Sequence, residues 1–235
     1  MRIITIGRQF GSGGRELGKR LADWFGFEYY DREILEEVAK RANMNVDYAE
    51  RMLLNGSFHG YTLTYGRTFE SVTSVSPYPS AGILSVQRSI LKEIGEKGDC
   101  VIVGRSANAI LASQKPFRVF VYADIHSRIE RCRSRAESGE ENLSDRAYEK
   151  KIKKIDRARA SRHNLVSSYK WGDPLGYDLC VNTTGVEIKS IVGSVAEYAS
   201  HYFENNGILS GKDESANENA NASENESAGK DASES

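Results

Sequence analysis

Residues 4–18 read Ile-Thr-Ile-Gly-Arg-Gln-Phe-Gly-Ser-Gly-Gly-Arg-Glu-Leu-Gly, a β-branched run, then a glycine-rich turn, then a helix-like start. Backbone N–H groups in such a turn converge on an anion, and the helix that follows adds its positive end. The chemistry this suggests is phosphate binding. In the common loop G-x-x-x-x-G-K-[ST], a lysine neutralises the phosphates and a hydroxyl helps to hold magnesium. Aligning its second glycine on Gly13 puts Arg8 at the first glycine, Gly14 at the lysine and Arg15 at the hydroxyl. The cradle of Gly11, Ser12, Gly13 and Gly14 is therefore present, the usual cation is absent, and Arg8 and Arg15 flank the gap. The alternative is a tight strand-to-helix turn that binds nothing.

Other arginines sit where a phosphate would need them. Arg105 follows the apolar run Cys100–Val103 and Gly104, and a guanidinium fork suits a phosphate bidentately. A structural ion pair is the competing reading. Arg128, Arg131 and Arg135 recur at spacings of three and four, on one helical face. Ahead of the polar stretch 137–142 they suggest a lid that clamps transferring phosphates, against the plainer reading of a solvated basic face. Asp156 and Arg159 also share a face and could bind only each other. Lys150, Lys151, Lys153, Lys154, Arg157 and Arg162 read as solvated. The four histidines lack ligand spacing. The three cysteines, Cys100, Cys132 and Cys180, are scattered and read as reduced thiols rather than a metal or redox site.

The elements that must position these groups alternate. Strands are expected over 1–6, 27–30, 100–103, 117–123 and 177–182. Helices are expected over 14–25, 31–42 with Asp31 as the N-cap, 46–54, 81–96, 124–135, 144–169 and 186–203. Residues 56–79, rich in Gly, Ser, Thr, Tyr and Pro, suggest an irregular loop or a loosely paired hairpin. Such alternation implies a three-layer α/β/α domain over 1–209 with a central parallel sheet. Ligands then bind at the carboxyl ends of the strands, where the glycine turn, Gly104-Arg105 and Ala123-Asp124 should converge on one crevice.

Composition narrows the function class. The formal net charge of −1 hides a tail, 210–235, with seven acidic residues against Lys212 and Lys230. That tail has no aromatic residue and is expected to be disordered, leaving a mildly basic body. No apolar run approaches the ~20 residues of a membrane span, and no signal pattern opens the chain, so a cytoplasmic enzyme without a membrane partner is expected. The basic helix lacks interleaved stacking aromatics, which argues against nucleic acid as partner.

Four segments carry a resemblance. Residues 6–16, Tyr30-Asp-Arg-Glu-Ile34, Val103-Gly-Arg105 and Trp171-Gly-Asp173 with Tyr177-Asp-Leu-Cys180 resemble the cytidylate kinase-like proteins of bacteria, over essentially 1–204. The resemblance implies a P-loop fold with a helical monophosphate-binding part and an arginine lid at about 128–145. It implies ATP and Mg²⁺, with transfer of the γ-phosphoryl to a nucleoside monophosphate, CMP or dCMP in the true cytidylate kinases. By position, residues 8–15 would hold the ATP phosphates, and Arg15 with Arg128, Arg131 and Arg135 would act on the transferring group. Asp31, Gln87, Arg105, Asp156 and Arg159 would contact the acceptor, Asp156 and Arg159 reading cytosine and phosphate. Gly14, Arg15, Ser106 and Arg32-Glu33-Ile34 depart from that family's pattern, so a nucleotide-binding protein without turnover is the alternative.

Overall fold

The structure is a computed structural model and describes residues 1–55, 80–135 and 143–208. The segment 56–79, the whole polar stretch 137–142 of the expected lid and the acidic tail lie outside the described residues.

Five strands, β1 (Ile3–Arg8), β2 (Glu28–Tyr30), β3 (Cys100–Val103), β4 (Phe117–Tyr122) and β5 (Leu179–Asn182), form one sheet in the order β2-β3-β1-β4-β5. Every pairing is parallel. Alternation along the strands splits the core in two. Ile4, Ile6, Val101 and Val103 face the helices α1 (Gly14–Phe25) and α8 (Ile188–Asn205), burying Leu17, Leu21, Ala196 and Phe203. Ile3, Cys100 and Ile102 face the other way, toward α2 (Glu33–Arg41), α3 (Val46–Asn55) and α4 (Ser80–Lys97). Each such fully buried aliphatic side chain contributes about 1.5–3 kcal/mol. The expected three-layer arrangement is what folds.

A short α5 (Ala107–Ile110) follows β3, α6 (Ile125–Arg133) follows β4, and the long α7 (Asp145–Asn164) packs against α6 and α3. A third cluster, Ile129, Tyr148 and Ile152 with Phe10 and Cys132, seats α6 and α7 on the glycine turn. Asp124 and Ser144 cap α6 and α7 by accepting the N–H of Ser127 and Ala147. Three boundaries correct the sequence reading. α7 ends at Asn164 rather than 169, β5 begins at Leu179 after a 3₁₀ turn at Pro174–Gly176, and α5 had no periodic signal in its four residues. Asp31 does not cap α2 either. Arg32 occupies the cap position without a side-chain bond, and the Asp31 carboxylate is drawn instead into two ion pairs.

Candidate active site

The loop between β1 and α1 follows the expected strand–turn–helix path, and its charge is arranged in a way the phosphate-loop pattern does not show. A side chain at position 14 would bring its Cβ within 2.6 Å of the Arg8 Cβ. Real Cβ atoms do not approach so closely, so any side chain at position 14 would force Arg8 or the loop backbone to shift. The Arg8 side chain runs out of the loop toward β3, where Gly104 leaves it room: a Cβ on Gly104 would fall 1.5 Å from Arg8 Nη1. Arg8 Nη2 then pairs with Asp31 Oδ1 at 3.2 Å, and Arg15 Nε with Asp31 Oδ2 at 2.5 Å. At the other end of the loop Gly13, in left-handed conformation, precedes α1 with no side chain capping the helix. The first-turn N–H groups thus lack intrahelical partners and remain suited to an anion.

Beside this loop, at the carboxyl ends of β1, β2 and β3, lies a cavity of about 630 Å³. Of the seven arginines that line it, Arg15, Arg32 and Arg88 are exposed and Arg8, Arg105, Arg159 and Arg162 are half-buried, with Asp31 and the exposed Glu50 as carboxylates. Loss of water pulls the guanidiniums of Arg8 and Arg162 down to about 10 and that of Arg159 down to about 9. Arg105 moves in the same direction for the same cause. Neighbouring guanidiniums add to the shift, which marks the four as one electrostatic cluster. Arg105 projects from a strained turn: Gly104, Arg105 and Ser106 have φ of 80°, 55° and 55° in succession. Non-glycine residues in that region cost of order 1 kcal/mol or more, and such strain concentrates at functional sites. The buried Gln87 braces the turn, Nε2 donating to the Arg105 carbonyl at 3.4 Å.

The other predicted residues divide. Arg131 and Arg135 line a second cavity, of about 490 Å³, across the loop and beside residues 185–189. Arg131 donates to the carbonyls of Thr183 and Val186, and Arg135 pairs with Glu16. Arg128 and Asp156 line neither cavity. They pair with each other while Arg128 Nε donates to the Phe10 carbonyl at 2.7 Å and the Phe10 N–H donates to Asp156 Oδ1 at 2.8 Å. That double clasp fixes the loop backbone against α6 and α7. Arg159 stays in the acceptor-side cavity and donates to the Arg8 carbonyl at 3.1 Å. The end of β4 at Ala123-Asp124 does not join this cavity, since Asp124 is spent on the α6 cap.

Arg162 and His163, both placed among solvated or ordinary residues by sequence, line the main cavity. The available signal was the stripe Tyr148, Ile152, Ile155, Arg159, Arg162, spaced four, three, four and three, which puts both arginines in line with buried apolar residues. Among the described residues no group of three or more His, Cys, Asp or Glu side chains could hold a metal ion. The carboxylates nearest the loop are committed, Asp31 to two arginines, Asp156 to Arg128 and Asp124 to its cap. The described residues therefore do not form a closed all-protein metal site, and a magnesium ion there would be held chiefly by substrate phosphates and waters.

Comparison with known proteins places this geometry. The family model of the cytidylate kinase-like family matches residues 3–185. The chain belongs to that family. A search among curated proteins finds no significant match. Among solved structures, an uncharacterized protein from Eubacterium ventriosum ATCC 27560 is 26% identical with a TM-score of 0.61, over 85% of this chain and 99% of that one. A shikimate kinase from Bacteroides thetaiotaomicron has a TM-score of 0.52 at 16% identity, over 85% and 98% of the two chains. The cytidylate kinase-like chain thus has the fold of P-loop small-molecule kinases, and no helix among its described residues is long and apolar enough to cross a membrane.

Proposed function

We propose that this protein is an ATP-dependent phosphotransferase whose acceptor occupies the arginine-lined cavity, a nucleoside monophosphate being the acceptor class that the family resemblance favours. One observation carries the reading: a cavity of about 630 Å³ with four half-buried guanidiniums abuts a glycine turn that leads into an uncapped helix. Phosphoryl transfer depends on positioning and charge neutralisation, which this arrangement supplies without a covalent group. Arg105 and Arg159 hold the anionic end of the acceptor. The first turn of α1 receives the nucleotide phosphates, and ATP approaches from the side of Arg131 and Arg135.

A second reading rests on Gly14 and Asp31. With no lysine at position 14, and with Arg8 and Arg15 sharing the single carboxylate of Asp31, the loop's own cations are held by the protein and keep only one net positive charge between them. That arrangement suits a protein that binds a nucleotide without turning it over. Both are decided by purified protein with ATP, magnesium and a panel of nucleoside monophosphates and small hydroxy acids, followed for ADP and phosphorylated acceptor. Acceptor-dependent ADP formation supports the kinase. Nucleotide binding by calorimetry with no product from any acceptor establishes the second reading instead.

A further inference from the structure

Buried polar side chains in a folded chain are almost always hydrogen-bonded, so the exceptions show where a partner is to come from outside. Among the described residues five buried side-chain atoms find no partner. Three of them, Gln87 Oε1, His163 Nε2 and Tyr177 Oη, belong to residues that line the main cavity. All three residues are more than nine-tenths buried. Gln87 Nε2 donates to the Arg105 carbonyl, which can only accept, so Oε1 is left as an acceptor. Burial pushes the Tyr177 pKa up to about 12, so its hydroxyl keeps its proton and can donate or accept. Loss of water favours the neutral ring of His163. Each can take a hydrogen bond from a ligand, and none brings charge to it.

The neutral groups adjoin one another. His163 stacks on Tyr177 at 6.4 Å between centroids, and the Asn108 side chain and Gly172 backbone lie near the Tyr177 oxygen without bonding geometry. Phe120 of β4 meets Tyr177 at 4.9 Å and Trp171, edge-on, at 5.3 Å. The Trp171 N–H donates to Asn164 Oδ1 at 2.9 Å, which ties it to the end of α7. Asp173 accepts the Leu175 N–H at 3.1 Å and so caps the 3₁₀ turn that leads into Tyr177. Trp171-Gly-Asp173 with Tyr177, a segment of the resemblance that carried no role, thus builds this uncharged wall. Asp156, to which the resemblance assigns the reading of cytosine, has both oxygens in the loop clasp and does not line the cavity.

We propose that Gln87, His163 and Tyr177, with Trp171 beside them, form an uncharged subsite that binds the acceptor's heterocyclic base through an N–H on the edge of the ring. Leu84, Ile110 and Val166, each within three residues of Gln87, Asn108 or His163, line the cavity too. A few polar groups set among apolar ones suit a flat ring, whereas a polyol would leave hydroxyls against aliphatic carbon. Cytosine offers its amino group and uracil its N3–H, so both pyrimidines qualify. The segment from Trp171 to Tyr177 takes over the ring from Asp156. The inference rests on the main cavity being the acceptor site, and a binding measurement tests it whether or not phosphoryl transfer occurs.

The test is calorimetric titration of the full chain at pH 7.5 with CMP, UMP, N3-methyl-UMP and ribose 5-phosphate. CMP and UMP are expected to bind about tenfold more tightly than ribose 5-phosphate, which lacks the base. N3-methyl-UMP keeps the ring without its N–H and is expected to bind about fivefold more weakly than UMP. Tyr177→Phe removes a buried hydroxyl without a partner among the described residues, so its melting temperature should hold or rise. That variant should weaken CMP and UMP about fivefold and leave ribose 5-phosphate as in the parent, a selectivity that a structural defect does not produce. Equal affinity for CMP and ribose 5-phosphate overturns the proposal, as does N3-methyl-UMP binding like UMP. So does a Tyr177→Phe variant that binds CMP like the parent or loses every ligand alike, and so does failure of all four compounds to bind. If binding depends on the base but no acceptor is ever phosphorylated, the subsite stands and the kinase reading falls. If ribose 5-phosphate binds and is phosphorylated as well as CMP, the kinase reading stands and the subsite falls.

Discussion

Two sets of arginines flank the glycine turn, and they are treated oppositely. On the α6 side every guanidinium of the predicted lid face is spent on the protein: Arg128 on Asp156 and Phe10, Arg131 on the Thr183 and Val186 carbonyls, Arg135 on Glu16. On the β3 side Arg105 and Arg162 are half-buried without an ion pair among the described residues, and Arg159 has only a distant, shared one. The first set fastens the loop, α6 and the end of β5 to one another. The second holds charge at the expense of stability, the usual mark of a binding site. An arginine's meaning here lies in whether its partner is inside the chain.

The sharpest way to break this contrast is Asp156→Ala. The change strands a buried Arg128 and leaves the Phe10 N–H without its acceptor, so unfolding free energy should drop by about 3–5 kcal/mol in denaturant titration. A loss under about 1 kcal/mol would mean that the clasp fastens nothing. Next comes Arg105→Ala, from the other set. Turnover with the best acceptor should fall by about 100-fold, the scale of one lost charge-stabilising donor, while the melting temperature holds or rises. A melting temperature lowered as far as that of Asp156→Ala would move Arg105 into the fastening set and erase the distinction.

The sequence made some of this legible and hid the rest for physical reasons. Alternating strands and helices, the glycine turn and Arg105 at the end of β3 follow from local periodicity and turn chemistry, and the sheet assembled as those signals imply. The roles of Arg128 and Asp156 did not, because their partners lie 28 residues apart in the chain and each also binds Phe10, far away at the first loop. Spacing of three and four reports a shared helix face but not what that face meets. Arg162 was missed for a related reason: among so many cations on α7, charge suggested solvent, while the apolar stripe beneath it pointed inward. Asp31 reads locally as a cap, and two long-range arginines outcompeted the helix for it.

The smallest expected effect sharpens the comparison from inside the unpaired set. His163, only 2% exposed, lines the same cavity wall, stacks on Tyr177 at 6.4 Å between centroids, and its Nε2 finds no partner among the described residues. Loss of water holds its pKa below the ordinary 6.5. In the unfolded chain the ring takes up a proton near 6.5, whereas the folded protein resists it. The unfolded state therefore binds more protons below that pH, and stability must fall as pH drops from 6.5 through the folded value, by at most about 1.4 kcal/mol per pH unit. Above 6.5 the contribution is constant. His163→Gln should match the parent in melting temperature at pH 8 and lose less on going to pH 5.5. A dianion seated at Arg162 would favour the protonated ring and flatten the parent's slope toward that of the variant. Parallel curves for the two proteins, with and without CMP, would show that His163 takes up its proton as readily in the fold as in the unfolded chain and that the wall beside Arg162 is wetter than its burial implies.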